Sequence, residues 1–262
     1  MTVYVITHKP FDYPLPSGYQ PILVGADKNA NPNHYQPDNE GINISDKNPS
    51  FCELTGLYWL WKHAEAEKLG LVHYRRYFSK YNRRGQLYFA TLAKGAVRPI
   101  EVATLDELLT DYDWVVAEPE AGGAGTLTEQ FDFYHNRRDL EVTRQVIAEL
   151  SPAVLPDFDQ TMERHESSFY NMFYTSRTEM NVYCEWLFKI LFEVEKRTDI
   201  SSYDSYQQRL YGFLGERLLN VWLRHRQAKV KYLAEYQTDQ LNRAYAWEHV
   251  VNKIQRKLVQ AK

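Results

Sequence analysis

Short apolar segments rich in β-branched residues alternate with helical segments along the first half of the chain. TVYVIT at 2–7, PILVGA at 21–26 and DWVVAEP at 113–119 have the composition of buried strands. A further segment, LVHYRRYF at 71–78, begins in the same way but ends in aromatic and cationic side chains. Because strands that alternate with helices build an α/β sheet, the sequence predicts an α/β fold.

A helix is predicted between the second and third strands, over residues 51–70. Leu54, Leu57 and Tyr58 recur at helical spacing, and Gly70 is typical of a helix C-terminus. A fifth strand is predicted in the second half of the chain, which is otherwise mainly helical. The further predicted segments are helices at 105–110, 127–150, 179–197, 206–225 and 240–261, and a strand and turn at 167–178.

Composition narrows the class of protein. The 262 residues carry a net charge of −3, without the basic excess of a dedicated nucleic-acid binder, so no nucleic-acid partner is expected. Cys52 and Cys184 lie in apolar segments, which favours buried free thiols and a reducing cytoplasm. No apolar run reaches the roughly 20 residues that span a bilayer, and no signal-peptide pattern opens the sequence. The expected location is therefore the cytoplasm.

Polar side chains follow three of the predicted strands. They are Thr7, His8 and Lys9 after the first strand, His73, Tyr74, Arg75 and Arg76 after the third, and Glu118 after the fourth. Ligands of open α/β sheets bind at the carboxyl ends of strands, and guanidinium groups bind phosphate through paired hydrogen bonds. The alternative is that Arg75 and Arg76 pair with structural carboxylates. The second cationic strand end favours a phosphate-bearing ligand.

Several standard site motifs are absent from the sequence. It contains no G-x-x-x-x-G-K-[ST] or G-x-G-x-x-G phosphate loop, no H-E-x-x-H zinc motif and no G-x-S-x-G nucleophile elbow. D-x-D occurs at 111–113 and 157–159, but the first string precedes its strand and the second lies in a polar connection. Neither string is placed as a metal motif at a strand end would be.

Long blocks of the sequence resemble the signature of a known family. In chain order they are VYVITHKPFD, NISDKNPSFCELTGLYWLWK, GLVHYRRYF, FYHNRRDLE, FYNMFYTSRTEMNVYCEWLF and RLYGFLGERLLNVWL. Together they cover about residues 2–225 and resemble DUF4422, a family of bacterial proteins associated with capsular and exopolysaccharide synthesis.

The resemblance implies a fold and an activity. The fold class would be α/β, a GT-A-like, Rossmann-type mixed sheet flanked by helices, with a mainly helical C-terminal part. The activity would be glycosyl transfer from a nucleotide-sugar donor, with UDP as the first candidate nucleotide, to a glycan or lipid-linked glycan acceptor. Some relatives are associated with galactofuranose transfer. The alternative from another class is a noncatalytic subunit that binds a nucleotide or a glycan with the same fold.

A GT-A fold normally holds a divalent metal on an Asp-x-Asp at the end of a central strand, where the metal neutralises the sugar diphosphate. This sequence carries His-Tyr-Arg-Arg at the strand that could take that place. Our hypothesis is that Arg75 and Arg76 stabilise the departing diphosphate in place of the metal. No metal ligand is assigned, and a manganese or magnesium cofactor stays an open alternative.

A transferase that inverts the anomeric carbon also needs a base. Glu216 is the first candidate, because Gly212 and Gly215 beside it permit close approach of a substrate. Asp139 and Glu118 are the alternative candidates for the base. The alternative for Glu216 is a surface glutamate paired with Arg217.

The remaining candidate residues would contact the two substrates. Asn43 and Ser45 lie on a long polar loop, residues 27–50, that could order over the donor. The donor-binding set is Thr7, His8, Lys9, Asn43, Ser45, His73, Tyr74, Arg75 and Arg76. The acceptor-binding set is Glu118, Tyr134, His135 and Asn171.

The chain divides into a domain over residues 1–225 and a helical extension over residues 226–262. Within the extension, Ala246, Val250, Ile254 and Leu258 recur at helical spacing among cationic residues, namely Lys253, Arg256, Lys257 and Lys262. Such a helix can lie on an anionic membrane surface, where lipid-linked acceptors reside. The favoured alternative is that it docks onto the domain or onto a partner.

Overall fold

The computed structural model describes residues 1–123 and 125–260, except for several side chains near the end of the last helix. Within these residues, nine strands form one mixed sheet. The strands are β1 (Thr2–Thr7), β2 (Tyr19–Leu23), β3 (Gln36–Pro37), β4 (Lys68–His73), β5 (Arg76–Phe78), β6 (Trp114–Ala117), β7 (Phe173–Ser176), β8 (Val230–Leu233) and β9 (Glu235–Gln237). The main order is β3-β2-β1-β4-β7-β6-β8, and β5 joins β4 to β9. The α/β prediction is confirmed.

Strand direction defines two edges of the sheet. β1, β2, β3 and β4 are mutually parallel, and β6 and β8 are parallel to each other. β7 runs antiparallel to both β4 and β6, so these six strands all point one way. We call the side where they end the carboxyl edge. The amino end of β7 and the turn between β4 and β5 lie at the same edge.

Helices cover both faces of the sheet. The α-helices are α1 (Asn48–Phe51), α2 (Leu54–His63), α3 (Arg84–Lys94), α4 (Val102–Leu108), α5 (Leu127–Tyr134), α6 (Arg137–Leu150), α7 (Leu155–Met162), α8 (Arg177–Arg197), α9 (Leu210–His225) and α10 (Arg243–Gln260). The larger core includes Leu71 and Trp114 and the buried faces of α2, α8 and α9. The smaller core includes Val72 and Val115, with α3 and α4. Successive residues of a strand therefore place their side chains in opposite cores, as expected for a pleated strand.

Two predictions around the third strand were wrong in their boundaries. The predicted helix over 51–70 is two helices that end at His63, and Gly70 lies inside β4. A Cβ at Gly70 would come within 2.5 Å of the Phe173 carbonyl oxygen, so glycine permits β7 to pair closely with β4. The predicted strand at 71–78 is two antiparallel strands, because the chain reverses between His73 and Arg76.

Other segments differ in the same way. The predicted helix over 127–150 is interrupted at His135, and α6 restarts after Asn136, whose side chain caps it. The strand predicted over 167–178 is confined to β7. α3, α7, β8 and β9 were not predicted. The last two strands lie after residue 225, so the segment beyond that position contributes to the sheet before α10 begins.

α10 docks on α3, which is the favoured alternative for the C-terminal helix. Ala246 is buried, and the Tyr245 and Tyr88 rings lie 6.1 Å apart. The predicted apolar and cationic side chains Ile254, Leu258, Lys253, Arg256, Lys257 and Lys262 lie outside the described residues. Within the described part of the chain, none of the helices combines the length and apolar character needed to span a bilayer.

Candidate functional site

A cavity of about 480 Å³ opens at the carboxyl edge, where the ends of β1 and β4 face α1 and the start of α9. Seven of the residues predicted from the sequence line it, although they come from three distant parts of the chain. They are Thr7, His8, His73, Tyr74, Arg75, Arg76 and Glu216. The fold therefore brings the two cationic strand ends and the first candidate base to one site. We call it the first cavity.

Three arginines supply the positive charge of this cavity. The Arg76 guanidinium lies 4.3 Å from the centre of the Tyr170 ring, and its buried Nε has no hydrogen-bond partner among the described atoms. Arg75 is nearly half exposed and lies 3.7 Å from Asp239, a distance typical of a weak ion pair. Arg209 donates from Nε to the Cys52 sulfur at 3.3 Å. Within the described chain, Arg76 has no carboxylate at ion-pair distance, so its structural-pairing alternative is not observed.

The two histidines of the cavity are neutral at pH 7. Burial is the main cause that lowers the pKa of His73 to about 4, and Arg76 and Arg75 act in the same direction. Its Nε2 lies 2.6 Å from the carbonyl oxygen of Tyr170, so the neutral ring donates this hydrogen bond. Burial and then Lys9, Arg75 and Arg209 lower the pKa of His8. The cationic character of the cavity therefore comes from the arginines.

Two carboxyl groups, Glu216 on α9 and Glu53 before α2, line the same cavity. Burial is the main cause that raises the pKa of Glu216 to about 7. The Glu53 carboxyl acts in the same direction, while Arg217, the Tyr170 N–H and Arg209 oppose the shift. Glu216 accepts from the Tyr170 backbone N–H at 3.0 Å, and its second oxygen lies 3.3 Å from Arg217. A carboxyl that titrates near pH 7 is suited to proton transfer.

The segment before β7 holds these groups in place through a strained backbone. Tyr170 and Asn171 have φ values of 77° and 51°, which non-glycine residues rarely adopt. Asn171 donates to the Glu53 carboxylate at 2.6 Å, and Tyr170 contacts Glu216 and His73 through its main chain. Its hydroxyl donates to Glu120 at 2.7 Å. Tyr170 thus links groups on four different segments.

A second cavity, of about 510 Å³, lies on the other side of Tyr170. The two cavities share a wall formed by Arg75, Arg76, Tyr170, Arg209, Phe213 and Glu216. Tyr134 and His135, predicted on the acceptor side, line only the second cavity. Glu216 is therefore accessible to both cavities.

Two of the predicted donor residues lie on the 27–50 loop, outside both cavities. Ser45 donates to the buried Asp38 carboxylate, and Asn43 bonds to the backbone of Asn39 and Gly41. They order the loop after β2. Lys9, also outside both cavity walls, has its ammonium 5.5 Å from the Tyr74 ring centre, beside the first cavity.

Three further candidates also lie outside both cavities. Glu118 accepts from the Arg84 backbone N–H at 2.7 Å and stabilises the start of α3. Asp139 is buried on α6, where burial raises its pKa and Tyr203 donates to it at 3.0 Å. Asn171 is buried behind Glu53. Their observed contacts are structural.

The site does not fit the divalent metal that the fold family implies. The strand end offers guanidinium groups, and the nearby Glu53 and Glu216 accept hydrogen bonds from Asn171 and Tyr170. Among the described side chains, no group of three or more His, Cys, Asp and Glu is arranged to hold a metal ion. Both D-x-D strings lie elsewhere. Asp113 accepts from the Lys229 N–H, Asp157 forms an ion pair with Arg224, and Asp159 forms one with Arg144.

Sequence reasoning missed three residues of the site. Arg209 opens the block RLYGFLGERLLNVWL and lies within the predicted helix over 206–225, so no strand end marked it as a site residue. Tyr170 lies in a segment predicted as an ordinary strand. Glu53 falls within the segment predicted as one helix over 51–70, and its approach to Glu216 depends on the packing of α1 against α9.

Comparison with protein families matches residues 2–227 to the model described as Domain of unknown function (DUF4422). The chain belongs to this family. Comparison with curated proteins finds no match. Among solved structures, the apo structure of the bifunctional glycosyltransferase WbbM is similar, with a TM-score of 0.79 and 24% identity over 90% of this chain and 45% of that one. This DUF4422 protein therefore has a GT-A-like fold and spans less than half the length of that structure.

Proposed function

We propose that this DUF4422 protein is a glycosyltransferase that takes a sugar from a nucleotide-sugar donor and transfers it to a glycan. The observation that carries the proposal is the first cavity, which is lined by Arg75, Arg76 and Arg209 and by Glu216, a carboxyl group with a pKa raised to about 7. An anionic leaving group and a hydroxyl nucleophile need this combination of charges.

The donor would lie in the first cavity with its diphosphate against the arginines. Arg76 has an unpartnered buried Nε and stacks on Tyr170, so its position is fixed before any ligand binds. Thr7, His8 and Tyr74 would contact the nucleotide or the sugar from the strand ends. We take UDP as the first nucleotide to test, with galactose and galactofuranose as the first sugars, and surface polysaccharide assembly as the process.

The reaction would use Glu216 as the base. Its carboxylate takes the proton of the acceptor hydroxyl, whose oxygen bonds to the anomeric carbon while the bond from that carbon to the diphosphate oxygen breaks. The arginines stabilise the negative charge that develops on the departing diphosphate. This route applies to transfer with inversion, and Glu216 is accessible from both cavities, where donor and acceptor would meet.

The same arrangement supports the hypothesis that Arg75 and Arg76 replace a metal. Activity should then persist after treatment with EDTA, and added manganese should change it little. Complete loss with EDTA and rescue by manganese would overturn this part of the proposal without affecting the assignment of the donor cavity.

UDP binding and turnover together test the function. We expect UDP to raise the melting temperature, and a UDP-sugar to be hydrolysed slowly in the absence of acceptor. UDP binding without turnover of any UDP-sugar tested, with or without glycan acceptors, would favour the noncatalytic binding subunit. If no nucleotide or nucleotide sugar binds at millimolar concentration, the proposal fails.

A further inference from the structure

Three aromatic rings form a compact cluster on the wall of the second cavity. The His135 and Phe213 ring centres are 4.2 Å apart, with 27° between their planes, and those of His135 and Tyr206 are 6.0 Å apart, with 19° between them. Tyr206 and Phe213 lie 5.1 Å apart. We call these three residues the aromatic wall. All three side chains line the second cavity.

Polar contacts hold this wall in position. The His135 Nδ1 lies 3.0 Å from the Gln207 side-chain oxygen, and the Gln207 amide donates to the Tyr134 carbonyl at 2.6 Å. The end of α5 is thereby fixed to the turn before α9. Burial lowers the pKa of His135 to about 4, so the wall carries no charge at pH 7.

The aromatic wall includes a ring that is well exposed to solvent. Large tyrosines such as Tyr77 and Tyr211 are almost completely buried, whereas Tyr206 is 49% exposed and the neighbouring Tyr134 is 45% exposed. Exposed aromatic rings inside a concave surface are a common means of recognising flat apolar ligand faces.

Hydrogen-bonding groups surround the aromatic wall. Glu120 and Gln130 line the same cavity, and Glu216 lies in the wall shared with the first cavity. A sugar ring has C–H groups on one face and hydroxyl groups around its rim, so it can stack on the wall and bond to these side chains. A nucleobase would also stack, but the ends of β1 and β4, where a nucleotide is expected, lie in the other cavity.

We propose that the aromatic wall binds a sugar ring of the acceptor glycan and directs a hydroxyl group toward Glu216. The acceptor role of the bound sugar rests on the proposed function. The binding site itself is defined by the second cavity alone. Tyr206 and Phe213 would supply the stacking face, and His135 would hold both rings in place.

The probes are nitrophenyl glycosides of galactose, glucose and N-acetylglucosamine, followed by saturation-transfer NMR, with UDP measured separately by calorimetry. We expect at least one glycoside to bind to the native protein, and Tyr206→Ala to weaken it about tenfold, a value typical of an aromatic contact. Tyr206→Phe should retain binding because it keeps the ring. Tyr206→Leu keeps apolar bulk without a flat face, so it should also lose affinity, and it provides a second variant if the alanine protein does not fold.

Phe89→Ala is the matched control, since Phe89 is 73% exposed and lies outside both cavities. UDP binding with no glycoside binding, or with equal glycoside binding in Tyr206→Ala and Tyr206→Leu, would overturn the aromatic-wall proposal and leave the proposed function intact. Glycoside binding that depends on Tyr206 but no UDP binding would support the wall and contradict the glycosyltransferase assignment. Displacement of the glycoside by uridine alone would assign the wall to a nucleobase and overturn the proposal.

Discussion

The first cavity and the surface between α6 and α7 use the same kinds of charged residue in opposite ways. Between the helices, Arg144 and Asp159 form an exposed ion pair. Two guanidinium nitrogens of Arg144 each donate to one carboxylate oxygen of Asp159, both at 2.7 Å. In the cavity, Arg76 stacks on Tyr170 and, within the described chain, has no carboxylate partner, while Glu216 titrates near pH 7. At the surface, the two charges neutralise each other. In the cavity, Arg75 contacts Asp239 and Glu216 contacts Arg217, and the guanidinium group of Arg76 is available to a ligand.

This difference indicates where function lies. Exposed ion pairs contribute little to stability, and their partners neutralise them. A half-buried guanidinium group such as that of Arg76, whose Nε is buried and unpartnered among the described atoms, is costly to hold, and a ligand can supply the opposite charge. The D-x-D string at 157–159 belongs to the first kind of region, although its sequence resembles a metal motif.

The largest effect is expected at the carboxyl group of the cavity. Glu216→Gln removes the base and keeps the shape, so transfer should fall by about 1,000-fold or more while UDP affinity is retained. Steady-state kinetics and calorimetry measure the two quantities. Glu141→Gln, at an exposed position of α6, is the control. Unchanged turnover in Glu216→Gln, or its loss in Asp139→Asn instead, would reject the assignment.

The raised pKa of Glu216 gives this prediction a pH dependence. Since the carboxyl must be ionised to act as a base, kcat should fall about tenfold per unit below pH 7. Between the ordinary value of 4.5 and 7, the folded protein binds more protons at Glu216 than the unfolded chain does, so stability decreases as pH rises. Melting temperatures of Glu216→Gln should depend less on pH across this window. Equal dependence would place the titration on another group.

A smaller but still large loss is expected from the paired change Arg75→Ala and Arg76→Ala. Each guanidinium would contribute a charge-assisted hydrogen bond of about 1.5–3 kcal/mol, so UDP should bind at least about 100-fold more weakly. Arg83→Ala is the matched control, because Arg83 is exposed and lies outside both cavities. Equal UDP affinity in the double variant and in the control would show that the phosphates lie elsewhere.

A moderate loss of activity is expected from Tyr170→Phe, which tests the connection between the two cavities. The ring and its contact with Arg76 remain, and only the hydrogen bond to Glu120 is lost. Since such a bond contributes about 1 kcal/mol, we expect kcat/KM to fall about fivefold. Tyr88→Phe serves as a comparison on α3. A loss as large as that of Glu216→Gln would mean that the hydroxyl itself takes part in the reaction.

The smallest effect is expected at the surface pair. Arg144→Ala should change the free energy of unfolding by less than about 1 kcal/mol and leave UDP affinity unchanged, because the pair is exposed and distant from both cavities. Denaturant titration and calorimetry give both values. A strong fall in UDP affinity would contradict the distinction between the two regions.

The sequence was sufficient to place the cationic edge. His73, Arg75 and Arg76 follow a strand, and parallel strands end at one edge, so their proximity to His8 follows from topology. The approach of Glu216 does not follow in this way, since α9 reaches the cavity through packing against α1. Glu216 was a candidate base because of the glycines beside it, and one of them, Gly212, does lie close to Cys52.

There is a physical reason why the strands after residue 225 could not be predicted from the sequence. β8 and β9 have four and three residues, too few for a clear alternation, and they become strands because β6 and β5 offer them backbone partners. The positive φ angles of Tyr170 and Asn171 are likewise imposed by tertiary contacts, because neither residue type favours them over an extended conformation.

The pairing of β9 with β5 has a consequence for how short this protein can be made. The family match ends at residue 227, but the Thr238 N–H donates to the Arg75 carbonyl at 2.9 Å, and Gln237 lies opposite Arg76 in the sheet. A truncation at the family boundary would keep every signature block and remove the backbone support of both phosphate-binding candidates. The smallest unit worth purifying for donor studies therefore extends at least through residue 239.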